Sequence, residues 1–240
     1  MLQQEAIWQE LERFNICHEK RADFTVSPDD PAPLLELAQA RTKAEMPHAM
    51  GSVLMRNAAF IFVARLYMLS RHRLAWKGES SRIGVRDHEA YGRWSPQWVL
   101  GAGEWVPVTE EQAAETLCDI VCTDCGELIR SVAAATRSSQ VVLWENVWGY
   151  LLWMYTGLFK EKGEEAGRAK IDLKLLLEDE IWRGTQRRSP FQKFLNGMTP
   201  EKSVEQYARV TCCLFYLVPG NEKCSYCPKL SHELCLTENE

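Results

Sequence analysis

Apolar side chains recur along most of this chain at the three- and four-residue spacing of amphipathic helices and seldom alternate as in strands. Residues 2–20 and 33–46 read as such helices, the second opened by Pro31 and Pro33, whose fixed φ suits a first helical turn. A break at Pro47 precedes SVLMRNAAFIFVARLYMLSRHRLAW, whose long unbranched side chains predict another helix. Thr109 with Gln112 three residues on is a capping-box pattern that opens a helix reaching about Arg137. The next, from about Ser139, contains VVLWENVWGYLLWMYTGLF. Further helices are expected over 164–182, over 190–195, and from Thr199 to about Val210, where Thr-Pro-Glu supplies an N-cap, a proline at the first helical position and an acid near the positive end of the helix dipole. Between Trp76 and Pro107, five glycines and four tryptophans with no sustained helical period predict loops and short extended pieces. The expected architecture is mainly α: a helical domain over 1–198 with a loop-rich insert at about 76–108, then a small irregular cysteine-rich C-terminal lobe over 199–240.

Neither long apolar run reads as a membrane span. Arg56, Asn57 and Arg65 interrupt the first, and Glu145 and Asn146 interrupt Val141–Phe159, the more span-like of the two. An acid inside a span costs about 2.5 to 3.5 kcal/mol, so buried core helices are expected instead. Composition agrees: 46% apolar residues, with nine Trp, eight Phe and seven Tyr, supply a sizeable core and exclude a disordered chain. The 28 basic against 33 acidic residues give a net charge of −5, which argues against nucleic acid as a partner of the whole surface. The opening MLQQEAIWQELERF lacks the basic start and unbroken apolar core of a signal peptide, so a cytoplasmic protein is expected.

In a reducing compartment nine cysteines are not a disulfide scaffold, and metal binding or redox chemistry is expected of some. Cys118, Cys122 and Cys125 match the C-x3-C-x2-C spacing of radical S-adenosylmethionine enzymes, but at i, i+4 and i+7 of a helix they share one face, as small core residues do. The C-terminal set differs in kind. Cys212 and Cys213 are adjacent, ten residues separate them from Cys224, and Cys224-Ser-Tyr-Cys227 is a chelating turn closed by Pro228. A vicinal pair diverges too far to chelate one small ion well, so a two-iron cluster fits better than structural zinc, which remains the alternative.

With that C-C-x10-C-x2-C spacing the sequence resembles the FhuF-type siderophore ferric reductases. The resemblance extends to VLWENVWGYLLWMY, with Trp144, Asn146, Gly149, Tyr150, Leu151 and Trp153 at matching positions, and to Arg209 ahead of the cysteine pair. It implies a cytosolic 2Fe-2S protein that reduces ferric iron held by a hydroxamate or citrate-hydroxamate siderophore. The implied ligands are Cys212, Cys213, Cys224 and Cys227, with Cys235 outside the motif, and Trp144, Asn146, Tyr150 and Arg209 are the implied substrate contacts. No dinucleotide fingerprint is present, so electrons are expected from a ferredoxin, a flavodoxin or their reductase. Peripheral contact with the inner face of the membrane would suit an enzyme that receives imported cargo.

Seven basic residues from Arg65 to Arg93, among them Arg71, Arg73, Lys77, Arg82 and Arg86, stand against three acids, a local charge of +4. A solvated basic face explains this; so does a platform for an anionic ferric siderophore or an acidic electron donor, built on Arg65, Arg71 and Arg73. Arg183, Arg187, Arg188 and Lys193 form a smaller second patch, and His72 and His232 are the histidines nearest these features. The other function class consistent with the sequence is a helical binding or iron-sensing protein, not an enzyme, with a structural zinc or Fe-S site.

Overall fold

The computed structural model describes residues 4–17, 22–78, 83–100, 103–224 and 227–230; Arg82, His232 and Cys235 lie outside them. The chain begins with α1 (Gln4–Glu12), β1 (Ile16–Cys17), β2 (Phe24–Val26), α2 (Ala32–Thr42) and α3 (Pro47–His72). Pro47 starts α3, and Arg73 ends it in the left-handed conformation at φ 52°. Residues of α3 are buried on nearly every side between Ala49 and Ser70, because α2, α5, α6 and α7 all pack around it. Among the described residues α3 is the one helix long and apolar enough to cross a membrane, and 83% of its most apolar stretch is buried inside the fold. The sequence pointed instead to Val141–Phe159 as the more span-like run.

The insert forms short strands: β3 (Leu74–Gly78), β4 (Ile83–Arg86), β5 (Glu89–Ala90), β6 (Arg93–Trp94), β7 (Gln97–Leu100) and β8 (Gly103–Pro107). β3 and β8 pair antiparallel with Trp76 directly opposite Trp105, their rings 5.3 Å apart edge to face. A four-stranded sheet runs in the order β1-β7-β4-β2, β1 lying parallel to β7 and the other neighbours antiparallel. Ile83, Val85 and the buried Trp98 join this sheet to the helical core. β5 and β6 form a small hairpin turned by Tyr91 and Gly92, both at positive φ.

The second half is α4 (Glu110–Cys118), α5 (Gly126–Thr136), α6 (Gln140–Leu158), α7 (Glu164–Leu177) and α8 (Pro200–Glu205). The capping box at Thr109 and Gln112 is made in both directions. The single helix expected from there to about Arg137 is continuous in outline but carries a π-helical turn over Asp119–Cys125 between α4 and α5. Cys122 and Cys125 are buried there, and the Cys118 and Cys122 thiols both donate to the Ile181 carbonyl, at 3.0 and 3.2 Å. Several ends fall short of expectation: α1 stops at Glu12 to enter β1, α7 gives way to a 3₁₀ turn at Asp179–Trp182, and only Gln192–Leu195 of 190–195 is helical. α8 ends at Glu205, five residues before Val210, for a reason that belongs to the site below.

Candidate metal centre

Residues 206–214 form an irregular strap across α6 and the N-terminal half of α3, and α6 holds it with a carboxylate. Glu145 is fully buried. It accepts hydrogen bonds from the Val210 N–H at 2.5 Å, the Thr211 N–H at 2.7 Å, the Thr211 hydroxyl and Arg209 Nη2 at 3.4 Å. Two amides that a longer α8 would have used internally are thus taken by a side chain. A buried carboxylate demands such donors, since an unpaired one costs several kcal/mol.

Arg209 Nη2 also donates to Asn146 Oδ1 at 2.9 Å. Asn146 Nδ2 in turn donates to the carbonyl and hydroxyl oxygens of Ser52, and the Ser52 hydroxyl donates to the Cys213 carbonyl at 2.6 Å. The network therefore runs from α6 through α3 to the cysteine pair.

Beyond Cys213 the chain turns sharply at Leu214, which holds a left-handed φ of 61°. The two adjacent cysteines diverge. Cys212 Sγ lies 3.8 Å from Cys227 Sγ and receives the Leu214 N–H at 3.4 Å. Cys213 is buried, is hydrogen-bonded with Cys224, and receives Arg56 Nη1 on its sulfur at 3.5 Å. The Cys227 N–H returns to the Cys224 carbonyl at 2.9 Å, closing the chelating turn expected from the sequence.

The donor set fits a two-metal cluster. Two sulfurs each about 2.3 Å from one tetrahedral metal stand roughly 3.8 Å apart, which is the Cys212–Cys227 separation. Among the described residues no three Cys, His, Asp or Glu side chains gather about a single ion position; the Cys212 sulfur approaches that of Cys227, while Cys224 is hydrogen-bonded with Cys213 and also feels the charge of Cys227. Burial pushes the Cys212 thiol up, against the Leu214 N–H, and burial with the charges of Cys213 and Cys227 pushes Cys224 up. Four thiolates this close need compensating positive charge, which a bound metal supplies. Arg56, Arg209 and Lys229 add more, the last donating to the Tyr216 hydroxyl at 2.9 Å and feeling the charges of Cys212 and Cys227.

The other residues singled out in the sequence divide. Asn146 and Arg209 belong to the network. Trp144 lies beneath it in an aromatic cluster, edge-on to Trp182 and Phe191 at 5.4 Å each, and so packs the core. Tyr150 packs at a tilt against Phe60, ring centres 4.5 Å apart, and lines a cleft of about 720 Å³ together with Arg56 and Phe215.

The proposed platform of Arg65, Arg71 and Arg73 lies elsewhere. By helix rise these residues stand roughly 14 to 25 Å along α3 from Arg56. Each is engaged: Arg65 with Asp124 at 2.5 Å, Arg71 with Glu161 and Glu10, and Arg73 with Asp172 and Glu110. The side chains of Arg65 and Arg73 are only 10% and 7% exposed, so their charges are spent inside the fold. His72 likewise sits against Glu10. Arg183, Arg187, Arg188 and Lys193 are exposed on the irregular stretch after α7, and burial pulls the Lys193 ammonium down against the opposing charge of Glu145.

Glu145, Ser52 and Arg56 were not marked as site residues from the sequence. For Glu145 a signal existed: a lone acid within an apolar run must have buried donors. Ser52 and Arg56 carry no such mark. Residues 209–229 match the family model described as the FhuF 2Fe-2S C-terminal domain. No curated protein matches the chain.

Proposed function

We propose, from that C-terminal 2Fe-2S domain, that the chain is an iron-sulfur oxidoreductase that reduces siderophore-bound ferric iron, with Cys212, Cys213, Cys224 and Cys227 holding the cluster. The observation that supports the reading most is the gathering of these four sulfurs beside a cleft, Cys212 against Cys227 and Cys224 near both Cys213 and Cys227. When bound, a 2Fe-2S cluster supplies electrons singly, which is the stoichiometry of ferric-to-ferrous reduction. The substrate iron, once ferrous, is held less tightly by hard hydroxamate and carboxylate oxygens and can leave.

The protein's own groups prepare the site. Glu145, Arg209, Asn146 and Ser52 fix the main chain of residues 209–213, so the vicinal sulfurs stay divergent. Arg56 donates to the Cys213 sulfur and draws electron density from it. Cys212 and Cys224 are partly exposed, so an electron can enter without crossing the core. The reading places the protein in the cytosol, at the inner face of the membrane where imported cargo arrives. Its donor is a ferredoxin, a flavodoxin or their reductase.

Protein purified without air and assayed for iron, acid-labile sulfide and visible absorption tests the cofactor; mixing the dithionite-reduced protein with ferric siderophores, and trapping Fe(II) with a ferrous-specific chelator, tests the reaction. Red-brown protein that bleaches on reduction and recovers its colour as Fe(II) appears is the expected result. A colourless chain with one zinc would replace the reading with a binding protein, and a coloured chain inert towards every ferric complex would make it an electron carrier.

A further inference from the structure

The cleft beside Cys213 has a one-signed lining. Three arginines line it, Arg41, Arg56 and Arg93, and no acidic residue is among its described lining residues. Trp94, Tyr150 and Phe215 supply aromatic wall. Its volume, about 720 Å³, suits a compact chelate of drug-like size. Arg41 is held by Asp87 outside the cleft, which offsets part of its charge. Arg56 is held in place from two sides, by the Cys213 sulfur at 3.5 Å and by the Phe215 ring, 4.6 Å below its guanidinium carbon. Arg93 is exposed on the β5–β6 hairpin, whose turn residue Tyr91 is fully solvent-exposed at the rim.

We propose that this cleft binds ferric complexes of net negative charge, such as those of citrate-bearing chelators, with Arg56 and Arg93 receiving the carboxylates. This rests on the reductase reading and adds to it a location and a charge preference. Guanidinium forks pair with carboxylates bidentately, and a cleft of one sign with apolar walls concentrates the opposite charge. Aromatic faces accommodate the hydrocarbon arms of a chelator. Arg56 touches both the Cys213 sulfur and the cleft, so a chelate seated here is one side chain from the proposed cluster. An uncharged trihydroxamate complex offers the arginines only neutral amide and hydroxamate oxygens, and exchanging water for these gains less than pairing with a carboxylate.

Gallium(III) complexes test binding apart from electron transfer, because gallium has no accessible ferrous-like state. The probes are the gallium complex of a citrate-bridged dihydroxamate, which is anionic, and that of an N-acetylated linear trihydroxamate, which is uncharged. Titration calorimetry on the cluster-loaded protein is expected to show the anionic complex bound about tenfold or more tightly, a preference that narrows as salt rises. Arg93→Glu is expected to lower the anionic affinity about tenfold, leaving the visible spectrum and the uncharged affinity unchanged. Arg93→Lys keeps the charge at this position and is the control for damage to the hairpin, expected to retain the anionic preference that Arg93→Glu loses.

Equal binding of the two probes, or an anionic affinity indifferent to Arg93→Glu, overturns the proposal. If the ferric complexes are reduced with a KM that Arg93→Glu does not alter, the site assignment fails while the reductase reading stands. If neither is reduced, yet the anionic gallium complex binds in an Arg93-dependent way, the reading fails and the site stands.

Discussion

Glu145 is a buried acid in the second turn of an apolar helix, and its four donors come from the three residues just before the cysteine pair. Glu145→Gln keeps the volume but turns an NH₂ towards at least one of those donors. Removing one side of such a buried charged network costs about 3 kcal/mol or more. The expected outcome is a lower urea midpoint and a faster loss of visible colour under a chelator. Unchanged values for both would show that the strap is held by something other than this carboxylate. Cys122 and Cys125 lie deeper than the C-terminal set: burial drives both thiols well above their ordinary range, so neither ionises near neutral pH. Iodoacetamide is expected to leave both unlabelled in the folded chain and to label them only in denaturant, as mass spectrometry of the peptides would report.

Helix packing sets the next scale. Gly51 of α3 lies where a Cβ would stand 2.4 Å from Thr136 Oγ1 and 2.7 Å from Ser138 Oγ. Both oxygens are tied, Thr136 to Val132 and Ser138 to His48. Alanine has the better helix propensity by about 1 kcal/mol, but overpacking costs about 1 to 3 kcal/mol and is expected to win, so Gly51→Ala should lower the Tm.

α1 docks on α3 through Glu10, which receives the Tyr67 hydroxyl at 2.8 Å and faces His72 and Arg71. Burial alone would raise the Glu10 carboxyl, but the hydrogen bonds from His72 and Tyr67 and the charges of His72 and Arg71 outweigh it and hold it below its ordinary value. A carboxyl depressed in the folded state stabilises above its unfolded value of about 4.3 and loses that contribution as pH falls through the folded value. Glu10→Gln should therefore flatten the acid limb of a stability-versus-pH curve, by about 1 kcal/mol or less because the group is partly solvated. An acid limb of unchanged slope would remove Glu10 as its cause.

Across the whole molecule, one hydrophobic core runs from Ile7 of α1 to Val204 of α8 and includes the sheet. The cysteine segment stands outside it. Its apolar attachment is a small cluster of Val218 with Ala44 and Val53, and hydrogen bonds with Ser52, Arg56, Glu145 and Asn146 tie it to α3 and α6. A cross-link by metal therefore matters most there. Removing the metal, or making Cys224→Ser with Cys227→Ser, is expected to leave far-UV helicity nearly unchanged while amide exchange rises across residues 207–224. Global loss of helix would show instead that the core depends on the metal.

Much of this was legible in the chain itself, because it rests on local information. Hydrophobic spacing marks α2 through α7 to within a few residues, Thr109 and Gln112 announce their cap, and C-C-x10-C-x2-C carries a chelating geometry that adjacent residues impose on one another. What was not legible depends on partners distant in sequence. The basic run from Arg65 to Arg73 has the composition of an anion site, yet Asp124, Asp172 and Glu110, 37 to 99 residues away, consume those charges. Arg56 reads as an interruption in an apolar helix until folding sets it against a cysteine 157 residues on. Spacing along a chain specifies which side chains share a face; only the packing of one helix against another decides which charges are neutralised inside the fold and which remain to meet a ligand.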